Sequence, residues 1–124
     1  TNCPSCVTSY YPPENVLADA GLDPAAARSF RHGSGCQKCH NSGFKGRLGV
    51  YEVMEATGPI KQAIAADEGT STIRRLHLGQ GGVSLRDAGV NHALEGRTSL
   101  EEILRVTRDD EEHLDAGSEG RAAA

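Results

Sequence analysis

The sequence predicts a mostly α-helical protein with little β-structure: a small four-cysteine zinc subdomain, then one strand, then a helical subdomain. Two C-x-x-C pairs lie near the start, a short run rich in β-formers follows them, and amphipathic segments continue to residue 108. Of the 124 residues, 37% are hydrophobic and 4% are aromatic, so few large side chains are available to fill a core. A bound metal would supply part of the missing stabilisation.

The four cysteines, Cys3, Cys6, Cys36 and Cys39, are the predicted ligands of one structural zinc ion. Each C-x-x-C turn places two sulfurs on one side of a tight loop, and two such turns give the tetrahedral set that zinc prefers. The 29 residues between the pairs exceed the usual spacing of roughly 15 to 20. This stretch should therefore carry secondary structure of its own.

The zinc subdomain is predicted to span residues 1–46 and to contain two short helices. Pro12-Pro13 opens the first helix, over Glu14–Ala20. Asp23-Pro24 has the residue types of an N-cap and a first helical position, which predicts a second helix over Ala25–Phe30.

A single strand is predicted over Arg47–Met54, within the segment 47–57. Val50, Tyr51 and Val53 are β-formers with partial alternation. One strand cannot form a sheet by itself, and the rest of the chain after it has helical patterning. We therefore expect the strand's partners to lie in a longer protein, of which this chain is a fragment.

Four amphipathic helices are predicted in the subdomain 58–108. Each combines a start signal with apolar residues at helical spacing, and their ranges are Pro59–Ala66, Ser71–Leu78, Leu85–Leu94 and Leu100–Val106. Thr98-Ser99-Leu100-Glu101 fits the S/T-x-x-E capping box ahead of the last of them.

Charge separates the end of the chain from the rest. Residues 1–108 contain 12 Lys and Arg against 11 Asp and Glu, whereas residues 109–124 contain six acids and one Arg. The segment 109–124 also lacks apolar periodicity, so it is predicted to be a disordered acidic tail. No apolar run approaches the roughly 20 residues that cross a bilayer, which predicts no transmembrane segment.

Enzymatic chemistry is not expected of this chain alone. It has no G-x-x-x-x-G-K-[ST] phosphate loop, and its cysteines are not free nucleophiles if they bind zinc. No local Ser/His/Asp or Cys/His arrangement is present either. These observations predict no catalytic residues and no bound nucleotide cofactor in this part of the protein.

Two functional alternatives stay open at this point. A zinc-ribbon nucleic-acid-binding module is indicated by Phe30 and Phe44, which could stack bases, and by five cations around the cysteines, which are Arg28, Arg31, Lys38, Lys45 and Arg47. A c-type cytochrome is indicated by the C-x-x-C-H run from Cys36 to His40, with Met54 as a second axial ligand. Disulfide pairing of the cysteines and a thioredoxin-like redox pair are two further alternatives.

Three stretches of the sequence resemble the C-terminal part of the type II secretion and type IV pilus assembly ATPases, namely its zinc-binding and helical subdomains. They read C-P-S-C, G-C-Q-K-C-H-N-S-G-F-K-G-R-L-G-V-Y-E and S-L-R-D-A-G-V-N-H-A-L-E-G-R-T-S-L-E-E-I-L-R-V-T. The second and third are long, and the resemblance runs nearly from end to end.

The resemblance implies a parent protein that is a hexameric, RecA-like motor, which binds ATP and magnesium. Such motors are cytoplasmic and peripheral to the bacterial inner membrane, and their partners are other hexamer subunits and membrane platform proteins rather than nucleic acid. The resemblance implies zinc at Cys3, Cys6, Cys36 and Cys39, and a return of the strand after them to the ATPase core sheet. Arg47 is a candidate contact to a neighbouring subunit or its nucleotide.

Overall fold

In the computed structural model, residues 1–108 are described. Two strands, one short 3-10 helix and five α-helices follow one another along them. In chain order they are β1 Val7–Tyr10, α1 Glu14–Asp19, β2 Phe30–Gly33, the 3-10 helix Gln37–Cys39, α2 Gly58–Ala65, α3 Thr70–Gly79, α4 Leu85–Leu94 and α5 Leu100–Val106. The prediction of a mostly helical protein is confirmed, and the predicted acidic tail lies outside the described residues.

The two strands form a small antiparallel sheet between the cysteine pairs. Val7 pairs with Gly33, and Tyr10 pairs with Phe30. The predicted helix over Ala25–Phe30 is therefore wrong, because Phe30 begins β2. Asp23 accepts a hydrogen bond from the Ala25 amide at 2.9 Å, which closes a local turn in place of a helix.

The segment 47–57 contains no strand, contrary to the prediction for Arg47–Met54. A strand requires hydrogen bonds to a neighbouring strand, and the two strands of residues 1–108 pair with each other. Within this segment Val50 packs against the core, whereas Tyr51 and Val53 are 75% and 81% exposed.

The four predicted helices of the C-terminal subdomain are present as α2 to α5. The predicted bounds of α4 and α5 are confirmed, and α2 and α3 differ from the prediction by about one residue at their ends. Ser99, rather than Thr98, caps α5, because its hydroxyl accepts a hydrogen bond from the Glu102 amide at 3.2 Å.

One hydrophobic core joins the cysteine-rich part of the chain to the last two helices. Its buried members come from α1, β2, α4 and α5 and from the turn after α1, and they are Leu17, Ala20, Phe30, Val90, Ala93, Leu100 and Ile103. This core crosses the predicted boundary between residues 1–46 and 58–108. The cysteine-rich unit is therefore held by packing as well as by any metal it binds.

Helices α2 and α3 pack mainly against each other, with Ile60 and Ala63 buried. Among residues 1–108, no helix combines the length and the hydropathy that a membrane crossing needs; the longest, α3 and α4, have ten residues each.

Candidate metal centre

The four cysteine sulfurs converge on one point, within 4.8 Å of one another. The distance between sulfurs is 3.8 Å for Cys3 and Cys36, 3.9 Å for Cys6 and Cys39, and 3.6 Å for Cys36 and Cys39. A tetrahedron with metal–sulfur bonds of about 2.3 Å has edges of about 3.8 Å. The sulfurs thus lie at the corners that a tetrahedral metal ion requires.

The structure contains no disulfide between these cysteines. All four cysteines are free, and a disulfide would bring two sulfurs to about 2.05 Å. The chemistry of the donor set, four thiols and no oxygen or imidazole ligand, is that of a closed structural site with no position left for a substrate.

Each cysteine pair lies on a turn whose backbone hydrogen bonds hold the two sulfurs on one side. In the first turn the Cys6 amide donates to the Cys3 carbonyl at 3.3 Å, and in the second the Cys39 amide donates to the Cys36 carbonyl at 3.3 Å. His40 and Asn41 then adopt left-handed conformations, with φ of 54° and 61°. This reversal brings the chain back, so that the Asn41 amide donates to the Cys36 carbonyl at 2.8 Å.

Backbone amides also donate to the sulfurs. Cys6 Sγ accepts from the Gly35 amide, and Cys39 Sγ accepts from the amides of Cys36 and Gly43, each at 3.3 Å. Such donors favour thiolate, the form that binds metal.

The pKa values of two cysteines move in opposite directions. Burial raises the pKa of Cys39, but the hydrogen bonds from the amides of Cys36 and Gly43, together with those to the Cys36 and Cys6 side chains, outweigh it and lower that pKa to about 6. Burial raises the pKa of Cys6 to about 11, with the Gly35 amide opposing it and the neighbouring sulfurs adding to the rise. Four adjacent thiolates repel one another, so a cation is needed for all four to ionise together.

Two glycines meet where the strand pair approaches the second cysteine turn. A Cβ at Gly33 would lie 2.0 Å from the Gly43 carbonyl oxygen, and a Cβ at Gly43 would lie 2.3 Å from the Gly33 carbonyl oxygen. Sequence reasoning missed this contact. The signal available was a glycine shortly before Cys36 and another shortly after Cys39.

Asn2 and Tyr10 link the metal site to the helices, and sequence reasoning missed both. The Asn2 side-chain amide donates to the carbonyls of Arg31 and Gly96 at 3.0 and 3.1 Å. The Tyr10 hydroxyl accepts from the Leu100 amide at 3.1 Å and donates to the Glu101 carboxylate. These contacts join the sheet and the first cysteine turn to the turn before α5 and to its first residues.

The residues that suggested a nucleic-acid-binding module or a c-type cytochrome are not placed as those functions would require. Phe30 is 2% exposed and belongs to the core, so it cannot stack a nucleobase. The sulfurs of Cys36 and Cys39 face those of Cys3 and Cys6, whereas a c-type haem would need both for thioether bonds to the porphyrin. His40, the ligand of that haem, is exposed.

Arg47, the candidate subunit contact, is exposed and makes no ion pair with another residue of the described range. It follows the second cysteine turn directly and leads into the segment 47–57. Its contact to a neighbouring subunit stays a prediction.

Comparison with known proteins gives a match over almost the whole described chain. The family described as "Type II/IV secretion system protein" matches residues 1–105. "Type II secretion system protein E" of Pseudomonas aeruginosa is 37% identical over 108 residues, which is 87% of this chain and 21% of that protein.

Pilus assembly proteins match as well. "Type IV pilus assembly ATPase PilB" of Pseudomonas aeruginosa is 38% identical over 110 residues, covering 86% of this chain and 19% of that protein. The protein of the same name from Thermus thermophilus is 33% identical over 107 residues, covering 85% of this chain and 12% of that protein. The chain thus spans about a fifth or less of the length of these relatives.

Proposed function

This chain belongs to the family of type II/IV secretion system proteins, and from this premise we propose that it is the zinc-binding and helical C-terminal portion of a hexameric secretion or pilus assembly ATPase. Its role in that protein is structural support and docking, of a neighbouring subunit or of a partner. ATP and magnesium bind elsewhere in the longer protein. The parent works in the cytoplasm and reaches the inner membrane through platform proteins.

The main support for the proposal is that the cysteine cluster lies within the part of the chain that matches the family. Four sulfurs with tetrahedral spacing lie inside the region that the family covers. Zinc fits them best, because a set of four thiolates in a closed tetrahedron is its commonest structural site.

Structural support follows from the shared core. Phe30 lies on the strand between the cysteine pairs, and it packs in one cluster with Leu100 and Ile103 of α5. A zinc ion that fixes the cysteine turns therefore also fixes the surface on which α4 and α5 pack. The exposed side of the stretch 7–35 is left for docking.

The segment 47–57 is proposed to join the RecA-like core of the parent as a strand. Tyr51 and Val53 are among the most exposed large apolar side chains of residues 1–108. An unpaired segment has backbone N–H and C=O groups that another strand can pair with, and exposed apolar side chains favour a contact that covers them.

A first prediction concerns the zinc ligands in the full-length parent. Replacing Cys36 and Cys39 together by Ser should remove the bound zinc and lower the yield of hexamer and the ATPase rate about tenfold or more, because the unfolded unit exposes core side chains. Zinc content, size-exclusion chromatography and phosphate release measure these effects. Lys38→Ala, which changes an exposed residue between the two cysteines, is the matched control. Wild-type assembly and rate in the zinc-free variant would contradict the proposal.

A second prediction concerns Arg47. In the parent, Arg47→Ala should lower the ATPase rate about tenfold or more, because a guanidinium that contacts a phosphate or carboxylate across subunits stabilises charge there. Arg47→Lys should restore only part of the rate, since a lysine cannot form two parallel hydrogen bonds. Arg28→Ala, another exposed cation of the same unit, is the control. An unaltered rate and unaltered assembly in Arg47→Ala would remove Arg47 from the proposal.

A further inference from the structure

Glu52 lies where the segment 47–57 passes the end of α3 and the beginning of α4. One carboxylate oxygen, Oε2, accepts a hydrogen bond from the Leu85 amide at 3.2 Å. The other, Oε1, lies 3.4 Å from Nε2 of His77. A single side chain thus faces two helices at once.

Glu52 makes both contacts at the end of a helix. Leu85 is the first residue of α4, and the amides of a first helical turn lack partners within the helix. A carboxylate at that position also interacts favourably with the helix dipole.

His77 depends on this carboxylate. Its side chain is only 3% exposed, and neither ring nitrogen has a hydrogen bond within residues 1–108. A buried imidazole without a hydrogen bond is costly, and the Glu52 carboxylate, with Oε1 3.4 Å from Nε2, is placed to offset part of that cost. The space is tight as well, because a Cβ at Gly82 would lie 2.3 Å from the imidazole ring.

Further polar contacts hold the same segment to the same place. Gln80 donates to the Glu55 carbonyl at 3.0 Å, and the Thr57 hydroxyl donates to the Gln80 side-chain oxygen at 2.7 Å. The segment 52–57 is thereby attached to the C-terminal end of α3, with Glu52 reaching on to α4.

From these contacts we infer that Glu52 is a positioning residue, which transmits displacement of the segment 47–57 to α3 through His77 and to α4 through the Leu85 amide. A shift of this segment moves the carboxylate, and the two helix ends follow it because each has a polar group facing it. The inference rests on the proposed function only in placing the segment in the ATPase core, since the contacts belong to this chain itself.

The test is amide hydrogen exchange by NMR on the zinc-loaded chain. Glu52→Ala should speed exchange of the Leu85 amide about tenfold or more, the factor expected for loss of a hydrogen bond to a charged acceptor. His77→Gln should also speed it, although His77 does not donate to or accept from Leu85, because the carboxylate loses one of the groups that position it. Glu55→Ala, which leaves the Glu55 carbonyl in place, should change nothing.

A second measurement, on the Glu52→Gln variant, distinguishes loss of the contact between Glu52 and His77 from unfolding of the chain. In Glu52→Gln, which keeps the size and an acceptor for Leu85, the ring resonances of His77 should shift while zinc content and exchange in α5 stay as in the wild type. Unchanged Leu85 exchange in His77→Gln, or unchanged His77 resonances in Glu52→Gln, would overturn the inference. Neither result bears on whether the parent is a secretion ATPase, which the zinc-ligand and Arg47 variants test.

Discussion

Removal of the metal proposed at the four cysteines, by a strong chelator at neutral pH, is expected to unfold residues 1–46 of this chain. Zinc binding to small structural sites contributes roughly 10 to 16 kcal/mol of apparent free energy in peptides, about as much as the whole stability of a small domain. None of the four cysteines belongs to the core shared with α4 and α5, and the sheet beside them has only two strands of four residues each, so packing alone holds the cysteine turns weakly.

The loss should extend beyond the cysteine turns. Leu17 and Phe30 pack with Leu100 and Ile103, so unfolding of residues 1–46 exposes the faces of α4 and α5 that these residues cover. Helices α2 and α3, which pack mainly against each other, should retain more of their structure.

Circular dichroism, thermal melting and tyrosine fluorescence check this result, because Tyr10 stacks on His32 with ring centroids 4.2 Å apart. The control is the same chelator already saturated with zinc, and refilling the site under reducing conditions should restore the folded signals. A chain that has lost its metal but keeps an unchanged spectrum and melting curve would show that the metal is not structural.

The second large effect is expected for Gly33→Ala. The new methyl group would lie 2.0 Å from the Gly43 carbonyl oxygen, a contact with main chain that cannot be relieved by rotating a side chain. We expect a loss of about 3 kcal/mol or more in the free energy of unfolding, at the upper end of the range for overpacking. Zinc affinity should fall as well, because Gly43 donates to Cys39 Sγ and its carbonyl accepts from the Cys3 amide.

Two other glycines distinguish the cost of the close contact from the cost of a left-handed backbone conformation. Gly21 has a φ of +72° with no atom within 4 Å of its missing Cβ, so Gly21→Ala carries only the cost of a left-handed backbone, about 1 to 2 kcal/mol. Gly43 combines a φ of +79° with the close contact, so Gly43→Ala should be the most destabilising of the three. Denaturant unfolding with competitive zinc titration measures both quantities. Equal losses for Gly21→Ala and Gly33→Ala would show that the close approach is not limiting.

Sequence patterns predicted the parts of this structure that local chemistry decides. The cluster of four cysteines follows from the spacing of the two C-x-x-C pairs, and α4 and α5 follow from apolar periodicity with a start signal next to it. The helix over Ala25–Phe30 was wrong because its start signal is equally a turn signal. Asp23 closes a turn there, and Phe30 pairs with Tyr10 as the first residue of β2.

The contacts that join the parts could not be predicted, because their residues are far apart in sequence. Asn2 reaches Gly96, Tyr10 reaches Leu100, and Glu52 reaches both His77 and Leu85. None of these pairs leaves a periodic or compositional trace, so each becomes visible only once the chain is folded.

The sequence by itself therefore determined which four cysteines are candidate metal ligands, the bounds of α4 and α5 and the family to which the chain is related. Each C-x-x-C turn and each of these helices depends on residues close together in the chain, where spacing and capping act directly. Only the tertiary structure shows that the sulfurs of Cys3 and Cys6 lie within 4.8 Å of those of Cys36 and Cys39. It also shows that β2 shares a core with α5. Those arrangements depend on packing between distant segments, whose free energy is set by the whole fold rather than by any local pattern.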